Sequence, residues 1–149
     1  MSNALARCMS YLSSSRRLRR PSGTRVIALA EDDSALRELI AAALELDGHR
    51  VLQLGNAEAL MVTVHKILTQ GGELDLLISD VRMPGLTGLD ALKLLRDSEL
   101  RIPIILITAF SDLWTRTEAT RYGARLLDKP LELGVLRKVV RDSLPGRDN

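Results

Sequence analysis

The stretch LDLLISDVRMPGLTG, residues 74–88, limits what this chain can fold into more than any other. Leu74, Leu76, Leu77 and Ile78 form a short, near-continuous apolar run of the kind that makes a strand buried on both faces. Asp80 follows at the point where such a strand leaves its sheet. Met83, Pro84, Gly85 and Gly88 then impose a turn before a helical pattern that starts near Thr87. A carboxylate at the carboxyl end of a core strand stands where open α/β sheets bind their ligands.

Four further apolar runs flank this one. Val26 to Leu29 ends in Glu31, Asp32 and Asp33, Val51 to Leu54 is a second strand, and Ile104 to Ile107 follows Pro103 and ends at Thr108. Arg125 to Asp128 is a short fifth strand, closed by a turn at Lys129 and Pro130. Helical patterns lie between them. The first has Ser34 as its cap, the stripe Leu36, Leu39, Ile40, Ala43 and Leu44, and Gly48 at its end. The second starts at Asn56, carries Leu60, Met61, Val64, Ile67 and Leu68, and stops at Gly71 and Gly72. The third presents Leu89, Leu92 and Leu95, and the last presents Leu133, Leu136, Val139 and Val140. The fourth, near Ser111 to Tyr122, is the least amphipathic: Leu113, Trp114, Thr117 and Ala119 alternate with charge, which predicts the weakest packing.

Strands alternating with helices at short spacing predict the α/β class, a flavodoxin-like, doubly wound, five-stranded parallel sheet of order 2-1-3-4-5 with helices on both faces. That order places the switch point between the strands that end in Glu31 and Asp80. The 149 residues suit one domain, and a core built from Leu, Ile, Val and Ala fits a chain 46% hydrophobic but 3% aromatic. Three parts are expected: a basic arm over 1–24 without fixed structure, the folded domain over 25–144, and a short carboxyl end over 145–149. Five of the 21 basic residues fall in the arm, with no acid, so the rest carries 16 basic against 19 acidic residues. The high pI therefore comes from the arm, and nucleic-acid contact is expected only through its RRLRR segment, if anywhere. No apolar run approaches the roughly 20 residues that cross a bilayer, so no membrane role is expected. The single Cys8 offers no internal disulfide, and a cytoplasmic location is the expectation.

The sheet order brings Glu31, Asp32 and Asp80 to one edge. Three carboxylates so close must share protons or hold a cation, and a hard divalent ion such as Mg²⁺ suits oxygen ligands. Thr108 adds a hydroxyl and Lys129 an ammonium, both from carboxyl ends of strands. Such a set can neutralise a phosphoryl group while one carboxylate acts as nucleophile.

The acidic EDD at 31–33, SDVRMPGLTG around Asp80, ITA at 107–109 and DKP at 128–130 make residues 25–144 resemble the receiver domain of two-component response regulators. The resemblance implies that Asp80 is phosphorylated by the phosphohistidine of a sensor histidine kinase or phosphotransfer protein, with Mg²⁺ as cofactor. It further implies that Asp32, Asp80 and the backbone carbonyl of Arg82 ligate the ion, with Glu31 completing the acidic pocket through water. Thr108 would bond a phosphoryl oxygen and Lys129 would pair with the phosphate; Asp33 is expected at the helix start rather than in the ligand set. A downstream protein would meet the face formed by helix four, strand five and helix five. With 20 residues after Lys129, a single-domain regulator that signals by protein contact is expected, not an enzyme beyond its own phosphorylation and dephosphorylation.

Two features depart from that family. Leu126 stands where an aromatic switch residue is common, and Arg82 and Phe110 occupy positions that tune phosphoryl lifetime; their charge and bulk are expected to hinder water and lengthen it. A haloacid-dehalogenase-like phosphatase would carry a second Asp two residues after the nucleophile, where this chain has Arg82. A constitutive adaptor with an unused pocket is the other alternative. His49 is expected to face solvent, His65 to lie at the surface, and Trp114 to serve as a partner anchor.

Overall fold

The computed structural model describes residues 24–83, 87–98 and 101–144. The arm therefore lies outside the described residues except for Thr24, as do Pro84 and Gly85 of the turn and the carboxyl end. Five strands alternate with five helices: β1 (Val26–Ala30), α1 (Ser34–Leu46), β2 (Arg50–Leu54), α2 (Ala57–Gln70), β3 (Leu76–Asp80), α3 (Gly88–Asp97), β4 (Ile104–Thr108), α4 (Leu113–Arg121), β5 (Arg125–Asp128) and α5 (Leu133–Ser143). The strands are all parallel, in the order β2-β1-β3-β4-β5. The expected flavodoxin-like topology is the one found.

Strand periodicity splits the core into two layers. Val26, Ala28 and Ala30 of β1 face Leu60, Val64 and Ile67 of α2 and Leu89, Leu92 and Leu95 of α3, with Ala119 of α4 at the edge of that layer. Ile27 and Leu29 point the other way, to Ile40, Ala41 and Leu44 of α1 and Leu136 and Val140 of α5. β1, β3 and β4 are buried along their whole length, as their apolar runs require. Each fully buried leucine or isoleucine contributes about 1.5–3 kcal/mol relative to exposure.

Four of the five helix starts follow from side chains that accept backbone N–H groups, and only α5 begins without one. Asn56 caps α2 through Ala59, and Thr87 and Asp90 form a reciprocal capping box at α3. At α1 the cap is Asp33, whose carboxylate accepts the N–H of Leu36, and not Ser34. Asp33 reaches the orphan donors of the first turn one residue earlier. Leu39 departs from its assigned stripe as well: it is 54% exposed, and α1 buries Ile40, Ala41 and Leu44 instead. α4 begins at Leu113, capped by Asp112, and buries only Thr115 and Ala119. None of the described helices is long and apolar enough to cross a membrane.

Candidate functional site

The acidic edge forms because β1 and β3 are neighbours, paired from Ile27 with Leu76 to Ala30 with Ser79. Each strand runs out at the same level, so Glu31 and Asp80 emerge side by side. Asp32 follows at the surface, and one carboxylate oxygen from each of Glu31, Asp32 and Asp80 lies within 4.8 Å of the others. β4 ends beside them at Thr108, which pairs with Asp128 of β5, and the N–H of Lys129 donates to the carbonyl of Thr108 at 2.7 Å. The Lys129–Pro130 peptide is cis.

Lys129 reaches across the sheet edge. Its Nζ donates to Asp80 Oδ2 at 2.7 Å and to Glu31 Oε1 and Oε2 at 3.3 and 3.2 Å. The other oxygen of Asp80, Oδ1, accepts the N–H of Arg82 at 3.0 Å. Both carboxylate oxygens are thus oriented before anything binds. Glu31 is held by the N–H of Asp33 at its carboxylate and by Arg37 at its backbone carbonyl, the latter at 2.8 Å.

The electrostatics are strained in one sense. Burial first, and then the charge of Asp80, push the Glu31 carboxyl from 4.5 up to about 7, although Asp33 N–H and Lys129 pull the other way. Burial also works against the charge of Lys129, but the hydrogen bonds and charges of Asp80 and then Glu31 outweigh it, so Lys129 is raised and stays cationic. One ammonium among three carboxylates leaves an excess of negative charge. The donor set, all oxygen and partly open at Asp32, fits a hard divalent cation such as Mg²⁺.

Thr108 is buried at the edge of this hollow, with its hydroxyl donating to the carbonyl of Phe110 and accepting the N–H of Phe110, both at 3.1 Å. It is committed to its own loop. The guanidinium of Arg82 lies 5.7 Å from the centre of the Phe110 ring, so the two residues stack beside the ends of β3 and β4. Leu126 is half-buried against the α2–α3 layer. His65 is exposed as expected; His49 is half-buried rather than solvent-facing, tucked into the α1–β2 turn.

Two contributors escape a reading of the sequence. A Cβ on Gly88 would stand 2.5 Å from the carbonyl oxygen of Asp80 and 3.0 Å from Ser79 Oγ, so glycine is what lets α3 begin directly beneath the acid. The glycine itself was the available signal. Arg37, which pins the Glu31 carbonyl, gives none, because it sits within an ordinary helical pattern.

A sequence profile described as the response regulator receiver domain matches residues 27–141, and the matched segment carries the whole site. The chain belongs to that family. It is 35% identical over 127 residues to the response regulator protein FleR of Pseudomonas aeruginosa, covering 82% of this chain and 26% of FleR. Against the transcriptional regulatory protein FixJ of Azorhizobium caulinodans it is 35% identical over 121 residues, covering 79% of this chain and 54% of FixJ. The chain therefore spans a quarter to about half of these relatives. Among solved structures, a response regulator receiver protein from Pseudomonas putida superposes with a TM-score of 0.72 at 24% identity, covering 82% of this chain and 99% of that one. The receiver domain of the hybrid histidine kinase CckA gives 0.63 at 30% identity, covering 80% and 99%. The receiver family signals through phosphorylation with Mg²⁺ at such an acidic pocket, and its members meet histidine kinases and downstream targets.

Proposed function

We propose that this receiver domain, residues 25–144, takes a phosphoryl group on Asp80 from the phosphohistidine of a sensor histidine kinase or phosphotransfer protein and signals by protein contact. The observation that carries this is the Lys129 ammonium held at 2.7 Å from Asp80 and 3.2 Å from Glu31. It fixes the nucleophile and stands ready for the charge that arrives. An oxygen of Asp80 bonds phosphorus as the P–N bond of the donor breaks, and the electron pair leaves with the imidazole.

Asp32, Asp80 and the carbonyl of Arg82 would hold Mg²⁺, with Glu31 behind them through water; when bound, the ion offsets negative charge on the phosphoryl oxygens. Lys129 then pairs with the phosphoryl group. Thr108 must release Phe110 to bond a phosphoryl oxygen, which would disturb the loop that leads into α4. Because α4 buries only Thr115 and Ala119, that loop can bias a pre-existing equilibrium of the α4, β5 and α5 face, where a downstream protein would dock. Leu126 leaves that shift without a swinging ring. The Arg82–Phe110 stack shields the acyl phosphate from water, so an Arg82→Asn, Phe110→Glu double variant should hydrolyse its phosphoryl group several-fold faster in a radiolabel-release assay. A cytoplasmic location accompanies this reading.

Intact-mass measurement after incubation with a small phosphodonor and Mg²⁺ tests the proposal. The wild type should gain one phosphate, and Asp80→Asn should gain none. Catalytic turnover of the donor in excess of protein would indicate a phosphatase, and no modification at all would indicate an adaptor.

A further inference from the structure

α1 carries an apolar outer face as well as an apolar inner one. Ile40, Ala41 and Leu44 are buried against the sheet, yet Ala35, Leu39, Ala42 and Leu46 are all exposed, Leu39 by 54% and Leu46 by 86%. Their spacing of four, three and four residues lines them up as one outward seam of the kind that normally receives another helix or an apolar segment. Glu38 and Glu45, seven residues apart and both exposed, run along one flank of that seam and have no ion-pair partner among the described residues. The seam is therefore apolar at its centre and negative along one side.

The sequence supplies an occupant with the opposite pattern. Residues 1–23 contain Arg7, Arg16, Arg17, Arg19 and Arg20 with no acid, and Leu5, Met9 and Leu12 recur at intervals of four and three. The place where this segment joins the domain matters equally. The carbonyl of Arg25 accepts the N–H of Arg50, while Gly48 and His49, just before Arg50, donate to Glu45 and Leu44 in the last turn of α1. The amino-terminal segment thus meets the sheet beside the end of α1 that carries Leu46. Leu12 lies 12 residues before Thr24, a reach of up to roughly 40 Å, whereas the 13 residues of α1 span about 20 Å. Every point on the seam is within reach.

We infer that residues 1–23 lie back along the outward face of α1, with Leu5, Met9 and Leu12 against Leu39 and Leu46 and the RRLRR arginines beside Glu38 and Glu45. The apolar contact anchors the segment, and the exposed charges choose its side, since surface ion pairs alone contribute little. A second copy packed antiparallel through the same seam would set Glu38 and Glu45 against their own counterparts, which disfavours it. The docked segment covers the helix whose first turn adjoins Asp32 and the pocket.

Cys8, the only cysteine in the chain, allows a direct test on the 149-residue chain. With a nitroxide attached there, amide signals of Leu39 to Leu46 should be broadened at least several-fold more than those of β4 or α4, and high salt should weaken the effect. A Glu38→Lys, Glu45→Lys double variant, altered only at exposed positions, should lose most of the broadening while its other amide signals stay in place. Uniform or absent broadening would overturn the inference, as would broadening that the double variant leaves unchanged. A mixture of nitroxide-bearing, isotopically silent protein with label-free, ¹⁵N-enriched protein tests a second copy as the occupant: broadening there would mean a second copy holds the seam, and the intramolecular reading would fail.

Discussion

The two sides of the pocket are built differently. On the β1–β3 side, Asp80 has both carboxylate oxygens engaged, Glu31 is held at its carboxylate and its carbonyl, and α3 below them begins at a capping box and buries Leu89, Leu92 and Leu95. On the β4–α4 side, the Thr108 hydroxyl bonds only its own loop, and α4 turns Leu113 and Trp114 to solvent. A domain that must keep a nucleophile in place yet change its surface needs both kinds of construction. Buried packing is dense under the acid, and the sparsely packed part adjoins it.

The contrast predicts unequal responses to mutation. Leu92 is fully buried between α3 and the sheet, and Leu92→Ala should cost about 2–5 kcal/mol in urea unfolding. Next in size is a pH effect confined to the rigid side. The Glu31 carboxyl is raised from 4.5 to about 7 in the folded protein, so its contribution to stability is fully present below 4.5 and is lost as pH rises through about 7. Without divalent metal, the unfolding midpoint should therefore fall across that window, and Glu31→Gln should flatten the profile. A wild-type profile already flat in the presence of chelator would remove the strain assigned to this side.

The caps give a smaller and more discriminating pair. Thr87→Ala should lower global stability by about 1 kcal/mol, because α3 is welded to the core. Asp112→Ala removes an equivalent bond to Thr115, but from a helix with little packing. Its effect should appear as faster amide exchange within α4, with a global change under about 0.5 kcal/mol. Equal global losses would mean that α4 unfolds with the core and that the two sides are one cooperative unit.

Much of this was legible in the sequence, for identifiable reasons. Strand ends were readable because parallel strands buried on both faces are short, almost wholly apolar runs, and β1, β3 and β4 are of that kind; the sheet order came from the alternation with helices, as one of the two common doubly wound orders. Glu31, Asp32, Asp80 and Thr108 could be nominated because they sit at the ends of such runs, and Lys129 because it follows the short, partly charged fifth strand in the DKP turn. Periodicity was a poorer guide on α1. It identifies apolar residues but does not say which of two apolar faces meets the sheet, and so Leu39 was placed inside. The choice of Asp33 over Ser34 as cap, the pinning of Glu31 by Arg37 and the present partner of the Thr108 hydroxyl depend on side-chain directions that no spacing encodes.

The smallest expected effect belongs to Trp114, and it is the sharpest probe of the loosely built side. The indole is 60% exposed on a helix that buries only Thr115 and Ala119, so Trp114→Ala should change the unfolding midpoint by no more than about 0.5 kcal/mol equivalent. As the only tryptophan in the chain, it also reports on its own surroundings. Its emission should already resemble that of a solvent-exposed indole and shift little when urea unfolds the protein. Phosphoryl uptake at Asp80 should alter it, because Thr108 must leave Phe110 and the loop entering α4 must follow. A large red shift on unfolding, or a stability loss comparable with that of Leu92→Ala, would place the indole in the core and erase the difference between the two sides.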